Sequence, residues 1–332
     1  VKKILNDPFA YAQEAIRGLV RAYPQYYRLV DGTQNVVARP ASARKGKVGV
    51  VTGGGSGHMP VFTGYVGEGL LDACASGDVF ASPTPDEMAE AIRAANGGAG
   101  VLRLYGNYGG DIMNFDMAGD LVDFEGIETS TVLVRDDVAS ATLEERQKRR
   151  GVAGMVFAFK IAGAAADAGL DLAGVTAVTQ RAADNLRTMG VALSSCIVPA
   201  AGKPTFQIGD DEMEIGMGIH GEPGVERTRI KPAREIADSL LDPILADLKP
   251  GKGQRIAVLV NSLGATPAEE LFILFDHIAD RCEATGLVIA HTLVGRYATS
   301  MEMAGASLTI MQLDDELETY LNAPAACAFW RV

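Results

Sequence analysis

The sequence predicts an α/β fold of two domains, each with a central sheet flanked by helices, on three observations. Apolar runs of strand length alternate with segments of helical period from one end to the other, the pattern of strand–loop–helix units around a mainly parallel sheet. The length of 332 residues corresponds to about two domains at roughly 100–200 residues each. Hydrophobic residues make up 48% and charged residues 22%, a composition that builds packed cores rather than disordered chain.

In chain order, Lys47–Thr52 reads as a buried strand that runs into Gly53-Gly-Gly-Ser-Gly-His58. Pro85–Arg93 reads as a helix whose acidic first turn suits the helix dipole. Gly100–Tyr105 is the next strand and leads into Gly106-Asn-Tyr-Gly-Gly-Asp111; a helix over Asn114–Phe124 and a strand over Ser130–Val134 follow. Helices are expected over the alanine-rich Met155–Gly169 and over Val175–Met189. The later half predicts a glycine-rich strand pair at Thr205–Ile208 and Met213–Ile219, then a helix over Ala233–Leu248. A strand over Arg255–Val260 leads to a helix over Ala268–Thr285, with Thr266 as its cap and Pro267 at its first position. Strands near Leu287–Leu293 and Leu308–Leu313 close the series. The boundary falls near residues 186–192, giving units of 1–188 and 189–332, although no Pro/Ser-rich linker marks it.

Charge and motifs narrow the function. A net charge of −12 argues against nucleic acid or anionic membrane as a partner. No apolar segment reads as a signal peptide or membrane span, and Cys74, Cys196, Cys282 and Cys327 are far apart without a C-x-x-C pair, as expected of a cytoplasmic chain. No G-x-x-x-x-G-K-[ST] phosphate loop occurs; Gly216-Met-Gly-Ile-His-Gly221 matches G-x-G-x-x-G, but Pro223 spoils the helix that would bind pyrophosphate. The four histidines show no ligand spacing, so no metal is expected. Asp136-Asp137 and Asp314-Asp315 read as solvated strand ends.

The 38 glycines exceed the roughly 7% of ordinary usage, and they gather where backbone must approach something closely. His58 ends one such run and is either an imidazole beside ligand-facing N–H groups or the end of a tight turn. His220, in Gly218-Ile-His-Gly-Glu-Pro-Gly224, is a base, a nucleophile or a structural turn residue. Asp111 is a base for a substrate hydroxyl or, the commoner role after glycine, a helix N-cap.

Seven motifs in order resemble the dihydroxyacetone kinase K subunit: Gly53-Gly-Gly-Ser-Gly-His58, Ser82-Pro-Thr-Pro-Asp86, Asn107-Tyr-Gly-Gly-Asp111, Arg149-Arg-Gly-Val-Ala153, Val198-Pro-Ala-Ala-Gly-Lys-Pro204, Gly218-Ile-His-Gly-Glu-Pro-Gly224 and Asn261-Ser-Leu-Gly-Ala-Thr-Pro267. The resemblance runs from Lys2 to about Leu321 and implies a homodimer of two-domain subunits that bind a short ketose. It implies that His220 attacks the ketone to give a hemiaminal, that His58 hydrogen-bonds the bound ketose, and that Asp111 is the base for the reacting hydroxyl. Gly55, with its neighbours Ser56 and Gly57, lies in the matching substrate-binding segment. Gly106 stands where many bacterial members carry a substrate-contacting lysine; loss of that side chain predicts a roomier pocket, open to a tetrulose such as erythrulose as well as dihydroxyacetone. The family's ATP or ADP and Mg²⁺ belong to a partner L subunit or domain, which nothing in this sequence resembles, so the chain is expected to bind ketose and not turn over alone. A non-catalytic ketose sensor or transcriptional co-activator is the alternative; Asp111 beside His58 weighs against it.

Overall fold

A computed structural model describes residues 2–332. It contains two six-stranded mixed sheets flanked by helices. Helix α1 (Tyr11–Ala22) precedes the short strands β1 (Arg28–Leu29) and β2 (Val36–Ala38), followed by β3 (Gly49–Ser56), β4 (Ala73–Val79), α2 (Pro85–Ala95), β5 (Val101–Gly106), α3 (Gly109–Asp123) and β6 (Thr129–Val134). The first sheet runs β1-β2-β4-β3-β5-β6, with β4, β3, β5 and β6 parallel and β1 and β2 antiparallel at the edge. Thr84 caps α2 in a reciprocal box with Glu87, and Pro85 opens its first turn.

Helices α4 (Met155–Asp167) and α5 (Leu172–Asp184) lead into the second sheet: β7 (Leu186–Ala192), β8 (Glu212–Ile215), β9 (Glu226–Arg229), α6 (Ala233–Leu248), β10 (Arg255–Ser262), α7 (Ala268–Ala284), β11 (Val288–Gly295), β12 (Gly305–Gln312) and α8 (Asp315–Asn322). Its order is β11-β10-β12-β7-β8-β9, and only the β10–β11 pair is parallel. The expectation of a mainly parallel arrangement therefore holds for the first sheet and not for the second. Helix α4 is buried along its length because one apolar core reaches from Val50 and Leu104 on the first sheet, through Phe157 and Phe159, to Leu259 and Met311 on the second.

Several local expectations are corrected. The pattern over 175–189 carries no breaker, yet α5 ends at Asp184 and Leu186 opens β7, which hydrogen-bonds along β12. No strand forms over 205–208; β8 pairs instead with β9. Thr266 does not cap α7: its hydroxyl is committed to the backbone of Gly305, and Pro267 holds the N-cap position. Asp136 and Asp137 are buried rather than solvated; Asp136 accepts from the N–H of Val152 and of Gly154 and from the Thr188 hydroxyl. Asp314 caps α8.

Candidate active site

The site forms where the carboxyl ends of β3 and β5 meet a loop of the second half, the usual place for chemistry in a parallel sheet. Gly53–Ser56 prove to be strand, not loop. At Gly55 a Cβ would stand 2.7 Å from the Ala81 nitrogen and 2.8 Å from the Phe80 Cα, so only glycine allows the 80–81 segment to lie this close. Gly57, at φ +99°, lets the chain turn out of β3 between Phe80 and Met301, themselves held in the left-handed region at φ 59° and 53°. Bulky residues rarely adopt that conformation, and its concentration here marks a site whose surroundings impose it. Backbone bonds from Met301 to Gly57 (2.8 Å) and from Phe80 to Ser56 (3.0 Å) fasten the turn. The Ser56 hydroxyl donates to the Gly77 carbonyl at 2.6 Å and is thereby committed to β4.

His58 emerges from this turn fully buried, with Nδ1 2.7 Å from the carbonyl of Thr299. A carbonyl only accepts, so Nδ1 carries the proton and Nε2 is a bare acceptor. Nε2 is buried with no partner. Burial, and then the neighbouring His220, push the imidazole down to about 3, which keeps it neutral. Asn261, at the end of β10, fixes Thr299: its amide donates to the Ala298 carbonyl at 2.7 Å and accepts from the N–H groups of Tyr297 and Ala298.

His220 meets His58 edge to face, with ring centroids 4.8 Å apart. Its Nδ1 lies 3.0 Å from Glu222 Oε1, and its backbone N–H donates to Oε2 at 2.9 Å. Burial alone would raise the Glu222 carboxyl, but the hydrogen bond from His220, that ring's charge and Arg150 hold it down at about 2. An ionised carboxylate can only accept, so His220 carries a proton on the Nδ1 that faces Glu222, and in the neutral ring Nε2 holds the free lone pair. Arg150 stands 3.7 Å from Glu222 and 2.7 Å from Asp137, anchoring the histidine loop to the end of β6.

Asp111 is not the N-cap of α3; Tyr108 occupies that position and Asp111 lies in the first turn. Its Oδ1 is buried and unpartnered. Burial pushes its carboxyl up to about 6, against the Ser82 hydroxyl and the charge of His220. Such a group changes protonation close to neutral pH, which suits a general base.

The structure therefore brings His58 and His220 into contact, with Asp111 close enough to feel the charge of His220 and with Gly55 and Gly57 shaping the turn that delivers His58. At Gly106 the nearest neighbour is a ring from two residues further on. A Cβ there would lie 3.0 Å from the Tyr108 ring, so that ring occupies the direction a side chain would take. Tyr108 donates to the Gly151 carbonyl at 2.9 Å and packs edge-on to His220, centroids 4.9 Å apart. Sequence reasoning missed Phe80, which stacks on His58 at 4.9 Å, as well as Tyr108, Glu222 and Arg150. Glu222 was within reach as the carboxylate two residues beyond His220; Phe80 carries no such signal. Among the described residues no group of three or more His, Cys, Asp or Glu is placed to hold a metal ion, and no helix is long and apolar enough to cross a membrane.

Comparison with known proteins supplies the family. The Dak1 domain family model matches residues 17–329. The dihydroxyacetone-binding subunit DhaK of the PTS-dependent dihydroxyacetone kinase 1 of Listeria innocua is 46% identical over 316 residues, 95% of each chain. The D-erythrulose kinase of Mycolicibacterium smegmatis is 45% identical over 323 residues, 97% of this chain and 55% of that protein. The solved dihydroxyacetone kinase of C. freundii superposes with a TM-score of 0.89 at 33% identity, covering 99% of this chain and 60% of that one. The chain thus spans almost all of the Listeria subunit and little more than half of the other two proteins. It belongs to the Dak1 domain family and is a K-subunit-type member of the dihydroxyacetone kinases.

Proposed function

We propose that this chain binds a short ketose as a hemiaminal on His220 and presents its hydroxyl for phosphorylation by a donor on a separate L subunit or domain. The observation that carries this reading is the pair of touching imidazoles, each with Nδ1 held against an acceptor-only group, so that the lone pair of either neutral ring lies on Nε2. The Nε2 lone pair of His220 adds to the carbonyl carbon as the π pair moves to oxygen, and that oxygen takes a proton from solvent water, leaving the ring with one positive charge. The charge left on the ring is balanced by Glu222. Neutral His58 accepts a hydrogen bond from a hydroxyl of the captured ketose. Asp111 then takes the proton of the terminal hydroxyl as that oxygen attacks phosphorus. Covalent capture separates a ketose from polyols, which have no electrophilic carbon.

Dihydroxyacetone and erythrulose are both candidate substrates, since the names of the relatives include kinases of each. With Tyr108 beside Gly106, a preference for the tetrulose has no support from added space at that position. The sequence has no phosphate-loop pattern, consistent with ATP, or ADP recharged by a phosphotransferase system, and Mg²⁺ residing on the L partner. Four free, buried cysteines fit a cytoplasmic setting, and a homodimer is the assembly proposed. Asp111 favours the kinase over a ketose sensor, because capture alone requires no base near neutrality. The test is a kinase assay with ATP and Mg²⁺, with and without an L partner, on dihydroxyacetone and both erythrulose enantiomers. L-dependent turnover of a ketose is expected; turnover without L, or phosphorylation of glycerol at an equal rate, contradicts the proposal.

A further inference from the structure

Away from the histidines, four arginines surround a pocket of about 230 Å³ formed by the end of β6, the 146–149 turn and helix α5. Two of them, Arg149 and Arg187, share the carboxylate of Asp247. The other two, Arg135 and Arg146, have no acidic partner among the described residues, and Arg135 Nε is buried without a hydrogen-bond acceptor. Asp184 also lines the pocket, but its carboxylate accepts from Gln180. Four guanidinium charges against the carboxylates of Asp184 and Asp247 leave a local excess of two positive charges, on a chain whose net charge is −12.

We infer that this pocket is a binding site for a phosphate-type dianion. Arg135 and Arg146 bring to the pocket guanidinium charges that no carboxylate among the described residues neutralises, and an anion there would balance them. The guanidinium fork matches phosphate oxygens in pairs, and Arg149 and Arg187, locked by Asp247, add a fixed wall of donors and charge. The volume falls below the roughly 300–1,000 Å³ typical of sites for drug-sized ligands, so the pocket selects inorganic phosphate or the phosphate group of a small monoester over a nucleotide. None of its lining residues belongs to the histidine site, so the inference stands independently of the proposed ketose chemistry.

Calorimetric titration of the full chain at low ionic strength, first with inorganic phosphate and then with glycerol 3-phosphate, tests the site. Saturable binding of at least one is expected, and the stronger of the two identifies the source of the group. Arg135→Gln and Arg146→Gln should each weaken it by about tenfold or more, and Arg135→Lys, which keeps the charge and loses the fork, by less than Arg135→Gln. Absence of binding by both anions overturns the inference, as does unchanged affinity in the two glutamine variants, with native circular dichroism confirming that each is folded.

Discussion

His58 and His220 are delivered to one point by two different kinds of structure, and the contrast underlies the separate roles proposed for them. The first comes from the glycine-rich end of a parallel strand; it is fully buried and its proton is fixed by a backbone carbonyl. The second comes from a loop between two antiparallel strands; its side chain is 25% exposed and its proton is fixed by an ionised carboxylate. Burial, with the neighbouring His220, outweighs the more distant Glu222 and keeps His58 a neutral acceptor near pH 7. The carboxylate behind His220 stabilises positive charge on the ring, which is what a nucleophilic nitrogen needs as it bonds to carbon. One residue type is thus offered for two proposed roles through the partner each ring meets.

The largest expected effect separates the two rings. His220→Ala should abolish both the ketose adduct and turnover, whereas His58→Ala should leave some adduct and weaken it. Equal loss in both, measured by native mass spectrometry with dihydroxyacetone, would erase the distinction. An adduct on His220 should add the whole mass of the ketose, since no water leaves.

Asp111→Asn comes next. Turnover with the L partner should fall by about 10²- to 10⁴-fold while the adduct persists, because the base acts only after capture. In the unaltered protein kcat/KM should decline as pH falls through about 6, where Asp111 takes up its proton. The same shift bears on stability. With the native carboxyl at about 6 and its ordinary value at 3.8, the group favours the folded state below 3.8, and that contribution is lost as pH rises through about 6. Asp111→Asn should therefore raise Tm at pH 8 and leave it nearly unchanged at pH 3.5, as thermal melts at the two pH values would show.

Glu222→Gln tests the counter-charge behind His220. The amide can still accept a hydrogen bond but carries no charge, and the adduct equilibrium and kcat should both drop by roughly 10- to 100-fold, less than the ~10⁴ reported by the analogous change in a Ser-His-Asp triad. A variant as active as the parent would show that the carboxylate only holds the loop. The smallest effect concerns the other region. Gly55→Ala places a methyl against the 80–81 backbone and should cost about 1–3 kcal/mol of stability by overpacking, read as a lower midpoint in urea with the same slope.

Legibility followed the physics of each region. Strands β5, β6 and β10 and helices α2, α6 and α7 declare themselves through uninterrupted apolar runs or clear helical period. Strand β4, with the sequence Ala-Cys-Ala-Ser-Gly-Asp-Val, is built of small residues with little intrinsic strand preference and owes its existence to pairing with β3. The passage from α5 to β7 takes only Asn185, so the helical pattern appears to the eye to continue to Met189 when tertiary pairing has already taken over. At the site, His58, His220 and Asp111 stand out because glycine surrounds them or precedes them. Phe80 and Tyr108 do not, since an aromatic wall is defined by what it packs against in space. The surroundings of Gly106 were hidden for the same reason: the ring two residues on stands in the direction a side chain there would take.

The central claim is that His220 bonds covalently to the ketone carbon, and ¹³C NMR of dihydroxyacetone labelled at the carbonyl measures this most directly. With the unaltered chain, the bound ketose should show a tetrahedral carbon in place of the carbonyl resonance, and His220→Ala should not produce that signal. A bound ketose that keeps its carbonyl resonance, or a protein-bound tetrahedral signal that survives in His220→Ala, would contradict the account.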